Sequence, residues 1–246
     1  MDRIVTFFSQ GQAIVADLSI PLEGAPCVIM SHGMEGSKDG AKWRLLATKL
    51  YEAGIASLRF NYRGCGQGKD KSQGKFENTT LGGRIQDLRA ALNFVEGTAV
   101  DSNRLGVIGS SLGAVVAITA WDKRLRSIVA MATPCQFPTP TEKQLRHFQE
   151  AEYFDLPSGR RIGTEFLREL WHHDTGRDIG RVKCPILIIH GSADKDVPVD
   201  DARRLYEKAN EPKRLEIIKG GGHGFDDPIH LQQVVSLAFG WLRRYL

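Results

Sequence analysis

No apolar run in this 246-residue sequence approaches the roughly 18 residues that a membrane-spanning helix needs, so a membrane is not an expected partner. The opening MDRIVTFFSQGQ has neither the basic stretch nor the apolar core of a secretion signal, and the expected location is the cytoplasm. Cysteine is scarce: Cys27, Cys65, Cys135 and Cys184 stand far apart, with no CxxC pair and no Cys/His spacing that reads as zinc. They are expected to be buried or semi-buried free thiols, because two disulfides would call for an oxidising compartment. A charge excess of one sign is missing too. The 33 Lys and Arg stand against 29 Asp and Glu, a formal charge of +4, with the basic residues scattered among acids, so no nucleic-acid partner is expected. What remains, with 26 Gly, 10 Pro, 41% hydrophobic and 25% charged residues, describes a globular chain able to bury a core without metals or disulfides.

Two alternating stretches, IVTFF and AIVADLSI, flank Ser9 to Gln12, which predicts an opening hairpin turned at Gly11. Beyond it, short apolar runs bounded by Gly or Pro alternate with amphipathic segments: PCVIMSHG, KWRLLATKLYEAG, IASLRFNY, GGRIQDLRAALNFVEG, RLGVIGS and LGAVVAITAWD. The rhythm returns in SIVAMATP, CPILIIHG, DDARRLYEKAN and RLEIIKGG and closes with a helix from about His230 to Tyr245. Alternation of this kind predicts βαβ units, hence an α/β fold with about eight strands in one mostly parallel sheet and helices on both faces. Between Pro134 and Cys184 the rhythm fails: Pro134, Pro138, Pro140 and Pro157 break the segment, leaving TEKQLRHFQEA and TEFLRELW as its helical pieces. That is too long for a plain loop. Residues 135–181 are therefore predicted to be an insertion after the sixth strand, a cap within a single domain spanning 1–246.

Gly109, Ser110, Ser111, Leu112 and Gly113 spell G-x-S-x-G directly after the strand RLGVI and directly before the apolar stretch AVVAITA. A strand that turns sharply into a helix needs tiny residues two positions either side of the turning serine, and the turn lifts the Ser111 hydroxyl clear at a positive helix terminus. Ser110, at the x position, is expected to point elsewhere.

A serine hydroxyl is a weak nucleophile near neutral pH and needs a histidine to take its proton, itself oriented by a carboxylate. After PILIIHG comes SADKDVP, with Asp194 first in reach; after RLEIIKG comes GGHGF, with His223 in a glycine-rich loop. Asp196 is the rival acid, whereas Asp200 and Asp201 read as caps of the helix DDARRLYEKA. His32 and His190 each follow an apolar strand and read as loop supports. His147, His172 and His173 lie in the insertion and read as solvated surface, since no third ligand completes a metal site around the His-His pair. The oxyanion formed on acyl attack needs backbone donors, predicted to be the N–H groups of Leu112 and of Met34 in the loop SHGMEGSK. One such donor is worth about 3 kcal/mol of transition-state stabilisation.

Taken in order, HGMEGSK, RFNYRGCGQG, GSSLG, HGSADKDVP and GGHGF, spread over nearly the whole chain, resemble the α/β-hydrolase superfamily. Within it the HG-x-x-GSK loop, the RF-x-YRG-x-G stretch and the insertion are similar to small bacterial cinnamoyl and feruloyl-type esterases and to serine aminopeptidase-like hydrolases. The resemblance implies Ser111 as nucleophile, His223 as general base and then acid, Asp194 as its orienter, and Met34 and Leu112 as oxyanion donors. The pattern usual at RFDYRGHG departs here, with Asn61 in place of the acid and Cys65 in place of the histidine.

The function expected is a serine carboxylic ester hydrolase working through an acyl-enzyme on small to medium acyl or aryl esters. Peptidase or thioesterase chemistry with the same three residues is the alternative, and a non-catalytic binding protein on the hydrolase fold a further one. Neither cofactor nor metal is expected, because RGCGQG lacks the dinucleotide spacing and GSK after His32 is no P-loop. The expected partner is the small-molecule ester. The oligomeric state stays open, a homodimer being among the options. Phe137, Phe148, Tyr153, Phe154, Phe166 and Trp171 are the insertion's candidates for an acyl or aryl pocket, against the plainer expectation that each packs the insertion onto the sheet.

Overall fold

The structure, a computed structural model, describes residues 2–142, 145–146 and 150–246. The opening hairpin pairs β1 (Arg3–Ser9) with β2 (Gln12–Ser19), and Gln10 and Gly11 carry φ of 48° and 79°, the two left-handed positions of a tight hairpin turn. Next come β3 (Ala25–Ser31), α1 (Ala41–Glu52), β4 (Ala56–Phe60), α2 (Leu81–Glu96), β5 (Val100–Ser110), α3 (Leu112–Thr119) and β6 (Leu125–Met131). After the segment that follows β6, the chain resumes with β9 (Ile186–Gly191), α6 (Val199–Lys208), β10 (Lys213–Ile218) and α7 (Pro228–Tyr245). Eight strands form one sheet in the order β1-β2-β4-β3-β5-β6-β9-β10. Both pairings of β2 are antiparallel, and every pairing from β4 to β10 is parallel. This is the α/β-hydrolase fold, with the strands where the apolar runs predict them.

Central strands buried on both faces need no polar alternation. In β3, Cys27 and Ile29 face the core under α2, α3 and α6, while Val28 and Met30 face the core under α1 and α7. All four cysteines are free and buried; burial pushes the Cys27 thiol up to about 12 and that of Cys184 up to about 11.

Between β6 and β9 lie β7 (Tyr153–Asp155), β8 (Arg161–Gly163), α4 (Thr164–Trp171) and α5 (Thr175–Ile179). The β7–β8 hairpin is a finding absent from the sequence reading, since three-residue strands are too short to show a period. Ile162, Phe166 and Leu170 bury themselves in the core on the α2 side, and Glu169 accepts the Leu81 N–H at the start of α2. His147 and Phe148 lie outside the described residues. His173 departs from the expectation of solvated surface: it bonds Thr119 Oγ1 at 3.0 Å and lies 3.7 Å from Asp178. Asp200 and Asp201 do not cap α6, whose N-cap position is Pro198. Asp201 is buried and accepts the Cys135 N–H at 2.9 Å, anchoring the start of the segment.

Two glycines with opposite surroundings test the packing. A Cβ on Gly113 would collide with the carbonyl oxygens of Ser31 and His32, whereas one on Gly240, exposed in the middle of α7, would meet nothing within 4 Å. In thermal unfolding followed by circular dichroism, Gly113→Ala is expected to lose about 1–3 kcal/mol or more, and Gly240→Ala to gain about 0.5–1 kcal/mol.

Candidate active site

Parallel strands place all their C-terminal ends on one edge of the sheet, so the loops after β3, β5, β9 and β10 meet there. These are the loops that carry Met34, Ser111, Asp194 and His223.

Ser111 is the residue between β5 and α3, with φ 54° and ψ −125°, a left-handed conformation that costs a non-glycine residue about 1–3 kcal/mol. The surroundings hold it there. Its N–H donates to Met131 O at 2.8 Å, and its carbonyl accepts from Ala114 and Val115 at 2.9 and 3.2 Å. A Cβ on Gly109 would strike the backbone of Gly113 and Ala114, so a side chain fits at neither flanking glycine. Ser110 borders the same cavity as Ser111, and its hydroxyl is engaged, accepting from Lys42 Nζ at 3.0 Å. Lys42 also reaches Gly224 O at 3.4 Å, tying the serine turn to the histidine loop. Burial lowers its pKa, partly offset by Asp226.

Asp194 and His223 meet, with Nδ1–H donating to Oδ2 at 2.9 Å. The other oxygen, Oδ1, accepts the N–H groups of Asp196 and Val197, both at 2.9 Å. Burial disfavours the charge, but these donors and His223 outweigh it and hold the carboxyl below its ordinary range. Asp196, the rival acid, is exposed and contributes only this N–H. His190, fully buried, donates from Nε2 to Val197 O at 3.0 Å and stands 3.2 Å from Asp194 Oδ2. It braces the Asp194 loop from below.

Asp194, Asp196 and His223 bring three ligand-type atoms within 4.8 Å of one another. Asp194 has both oxygens committed and His223 Nδ1 carries the proton that bonds it, so a cation would have to break the pair. The donor set suits a histidine–carboxylate couple better than a metal.

In the loop after β3, Tyr62 N–H donates to His32 Nε2 at 3.2 Å, which leaves the proton on Nδ1 to donate to Gly33 O at 2.7 Å. Burial, and then the nearby Arg84 charge, lowers the His32 pKa to about 3, so the ring stays neutral. Neither the Met34 nor the Leu112 N–H takes part in a hydrogen bond among the described residues.

A cavity of about 970 Å3 opens at this edge, and Ser111, Leu112, Met34 and His223 all line it. No hydrogen bond joins Ser111 Oγ to His223 among the described residues; the two side chains face the same space. The far wall comes from the segment after β6, through Phe137, Phe154, Leu156, Ile162, Leu167 and Leu170. Of the aromatic candidates, Phe137 and Phe154 reach this wall, Phe166 is packed into the core, and Tyr153 and Trp171 lie off the lining. A polar depression of about 840 Å3 adjoins it along Glu35, Gly36 and Ser37 but contains none of Ser111, Asp194 or His223. Sequence reasoning missed Lys42, whose partner is 68 positions away, and the contact of His190 with Asp194, which depends on how the loop after β9 folds back.

Residues 41–246 match the sequence profile of the prolyl oligopeptidase family. An uncharacterised protein of Mycobacterium tuberculosis is 31% identical over 90% of this chain and 69% of its own length. The uncharacterised protein YfhR of Escherichia coli O157:H7 is 27% identical over 85% of this chain and 68% of its own. Among solved structures, Est1E of Butyrivibrio proteoclasticus with ferulic acid bound superposes with a TM-score of 0.86 at 20% identity, covering 98% of both chains. The α/β hydrolase GrgF of Penicillium sp. sh18 gives 0.84 at 20% identity, covering 100% of this chain and 99% of its own.

A carboxylate with a depressed folded pKa stabilises the protein fully above the ordinary Asp value of about 3.9, and that contribution is lost as pH falls through the lower folded value. The difference in melting temperature between wild type and Asp194→Asn is therefore expected to stay constant from about pH 8 to 5 and to close only below about pH 4. A gap that closes between pH 5 and 7 would show that the carboxylate is not held ionised.

Proposed function

The chain belongs to the prolyl oligopeptidase family and carries the α/β-hydrolase fold, and from that premise we propose that it is a serine ester hydrolase working through an acyl-enzyme. The observation that carries this reading is the shared cavity: Ser111 on its strained turn and His223, paired with Asp194 at 2.9 Å, open onto the same apolar space.

The chemistry follows from that arrangement. His223 Nε2 takes the Ser111 proton as Oγ attacks the ester carbonyl, and Asp194 stabilises the imidazolium through Nδ1–H. The carbonyl oxygen becomes an oxyanion and accepts the N–H groups of Met34 and Leu112. His223 then returns the proton to the departing alcohol, leaving the acyl group on Ser111. A water molecule, deprotonated by the same histidine, attacks the acyl carbon; the second tetrahedral species collapses to the carboxylic acid and free serine. No step calls for a metal or nucleotide.

Residues 135–181 act as the cap whose apolar wall receives the acyl or aryl part of the ester. Phe137 and Phe154 offer aromatic faces, and the likeness to a fold that holds ferulic acid supports an aryl-acyl substrate. The family match favours a second reading, cleavage of a peptide or aminoacyl amide by the same residues.

Wild type and Ser111→Ala, assayed with p-nitrophenyl butyrate at pH 8 in the presence of EDTA, separate these outcomes. Loss of the nucleophile is expected to lower kcat by roughly 10⁴-fold or more, with the chelator without effect. Equal activity in the two proteins would remove Ser111 from the chemistry. Turnover of a prolyl p-nitroanilide but of no ester would establish the peptidase reading instead.

A further inference from the structure

Arg84 lies on α2, far in sequence from every motif above, and its side chain is completely buried. A buried guanidinium is costly unless its donors are satisfied. Among the described residues no carboxylate lies within ion-pair distance of it, and its partners are neutral. Nε donates to Thr79 Oγ1 at 3.1 Å, Nη1 to Gly33 O at 3.3 Å and Nη2 to Met34 O at 2.8 Å. Its plane lies over the Tyr62 ring, 4.8 Å from the centroid, with Cys65 Sγ 3.8 Å from Nη2.

Those carbonyls belong to the peptides that flank Met34. The one cis bond among the described residues is Glu211–Pro212, so both peptides are trans, and in a trans peptide the C=O and the following N–H point in opposite directions. Holding Gly33 O toward Arg84 therefore turns the Met34 N–H away from it. Met34 and Ser111 lie on the cavity side. Gly33 O accepts from His32 Nδ1–H at 2.7 Å, from Arg84 and from the Gly36 N–H at 3.3 Å, whereas Met34 O has Arg84 as its donor among the described residues, so the guanidinium ties the second flanking peptide to the first.

We propose that Arg84 is a positioning residue for the oxyanion site: it clamps the two carbonyls around Met34 from behind, so that the Met34 N–H is presented to the cavity before substrate arrives. The role rests on the reading of Ser111 as an acylating nucleophile, and it assigns Arg84 no contact with substrate. Preorganisation of this kind acts on the transition state, because the donor is aimed at charge that develops only as the tetrahedral species forms. The buried positive charge adds to the same end by sitting behind the peptide dipoles that face the oxyanion.

Arg84→Met, which keeps length and apolar contact but removes the donors, and Arg84→Lys, which restores a charge and part of the bonding, test the clamp. For p-nitrophenyl butyrate, Arg84→Met is expected to lose roughly 10- to 100-fold in kcat, less than outright removal of a donor, with KM within about threefold. Inhibition by an aryl boronic acid, which forms a tetrahedral adduct, should weaken by a comparable factor. Hydrogen exchange of the peptide containing residues 33–36, read by mass spectrometry on the free enzyme, should quicken, while exchange in β5 and β6 stays unchanged. Arg84→Lys should fall between the two on each measure. Unchanged exchange at 33–36, or a defect in KM alone, would overturn the clamp. Should Arg84→Met fail to fold, Arg84→Lys decides: wild-type exchange and wild-type kcat in that variant would equally overturn it. If wild type hydrolyses no ester at all, the proposed function falls, and the exchange measurement still judges the clamp by itself.

Discussion

The rest of the site depends on the close approach of Gly113, at the start of α3, to the end of β3 and the residue after it. Hydrogen alone fits between its Cα and the carbonyls of Ser31 and His32. Ser31 Oγ seals the contact by donating to Gly113 O at 2.7 Å, while Tyr62 meets the same hydroxyl at 2.6 Å. Because α3 can settle this deeply, the turn that carries Ser111 comes to rest against the loop that carries Met34. The strained Ser111 backbone is a consequence of that contact, offset by the apolar packing of α3, whose residues Leu112 to Ile118 are all buried.

From there the arrangement extends sideways along the sheet. Parallel pairing of β3, β5, β6, β9 and β10 lines up their C-terminal ends, so Asp194 and His223, 29 positions apart, emerge next to one another. Buried charge is managed on both sides. At the Asp194 loop, backbone N–H groups and His223 satisfy the carboxylate. Below the Met34 loop, Lys38 pairs with Asp17 at 2.7 Å and Asp70 at 3.2 Å, and Arg63 holds Asp87. Asn61 joins this second group, with Oδ1 accepting the Lys38 N–H at 2.8 Å and Nδ2 donating to Asp70 O at 2.7 Å. A carboxylate at 61 cannot make the second bond, which gives this chain's departure from the usual pattern a physical reason. Cys65 has a comparable one, as a compact side chain beside the buried Arg84.

The eight sheet strands and the helices that follow them were legible because buried parallel strands are continuous apolar runs, and G-x-S-x-G announces its own turn. Asp194 and His223 were legible from chain order after recognisable strands. The β7–β8 hairpin was not, since strands of three residues have no measurable period. Arg84 was hidden for a different reason. On α2 it occupies an ordinary position in an amphipathic segment, and only the tertiary fold reveals that its face of the helix meets the carbonyls of Gly33 and Met34. Lys42 and His190 share that limit, for their partners are 68 and 4 residues away, and neither spacing carries a motif. Asp201 misled for a related reason: placed where a cap is usual, it is turned inward to hold Cys135.

The central claim is that Ser111 is the group that becomes acylated, and covalent labelling addresses it without dependence on the natural substrate. Treating the protein with a fluorophosphonate, then measuring intact mass and mapping the modified peptide, is expected to give a single adduct on Ser111. The adduct should be absent in Ser111→Ala and form far more slowly in His223→Ala. Labelling that persists in Ser111→Ala, or that maps to Ser110, would contradict the account.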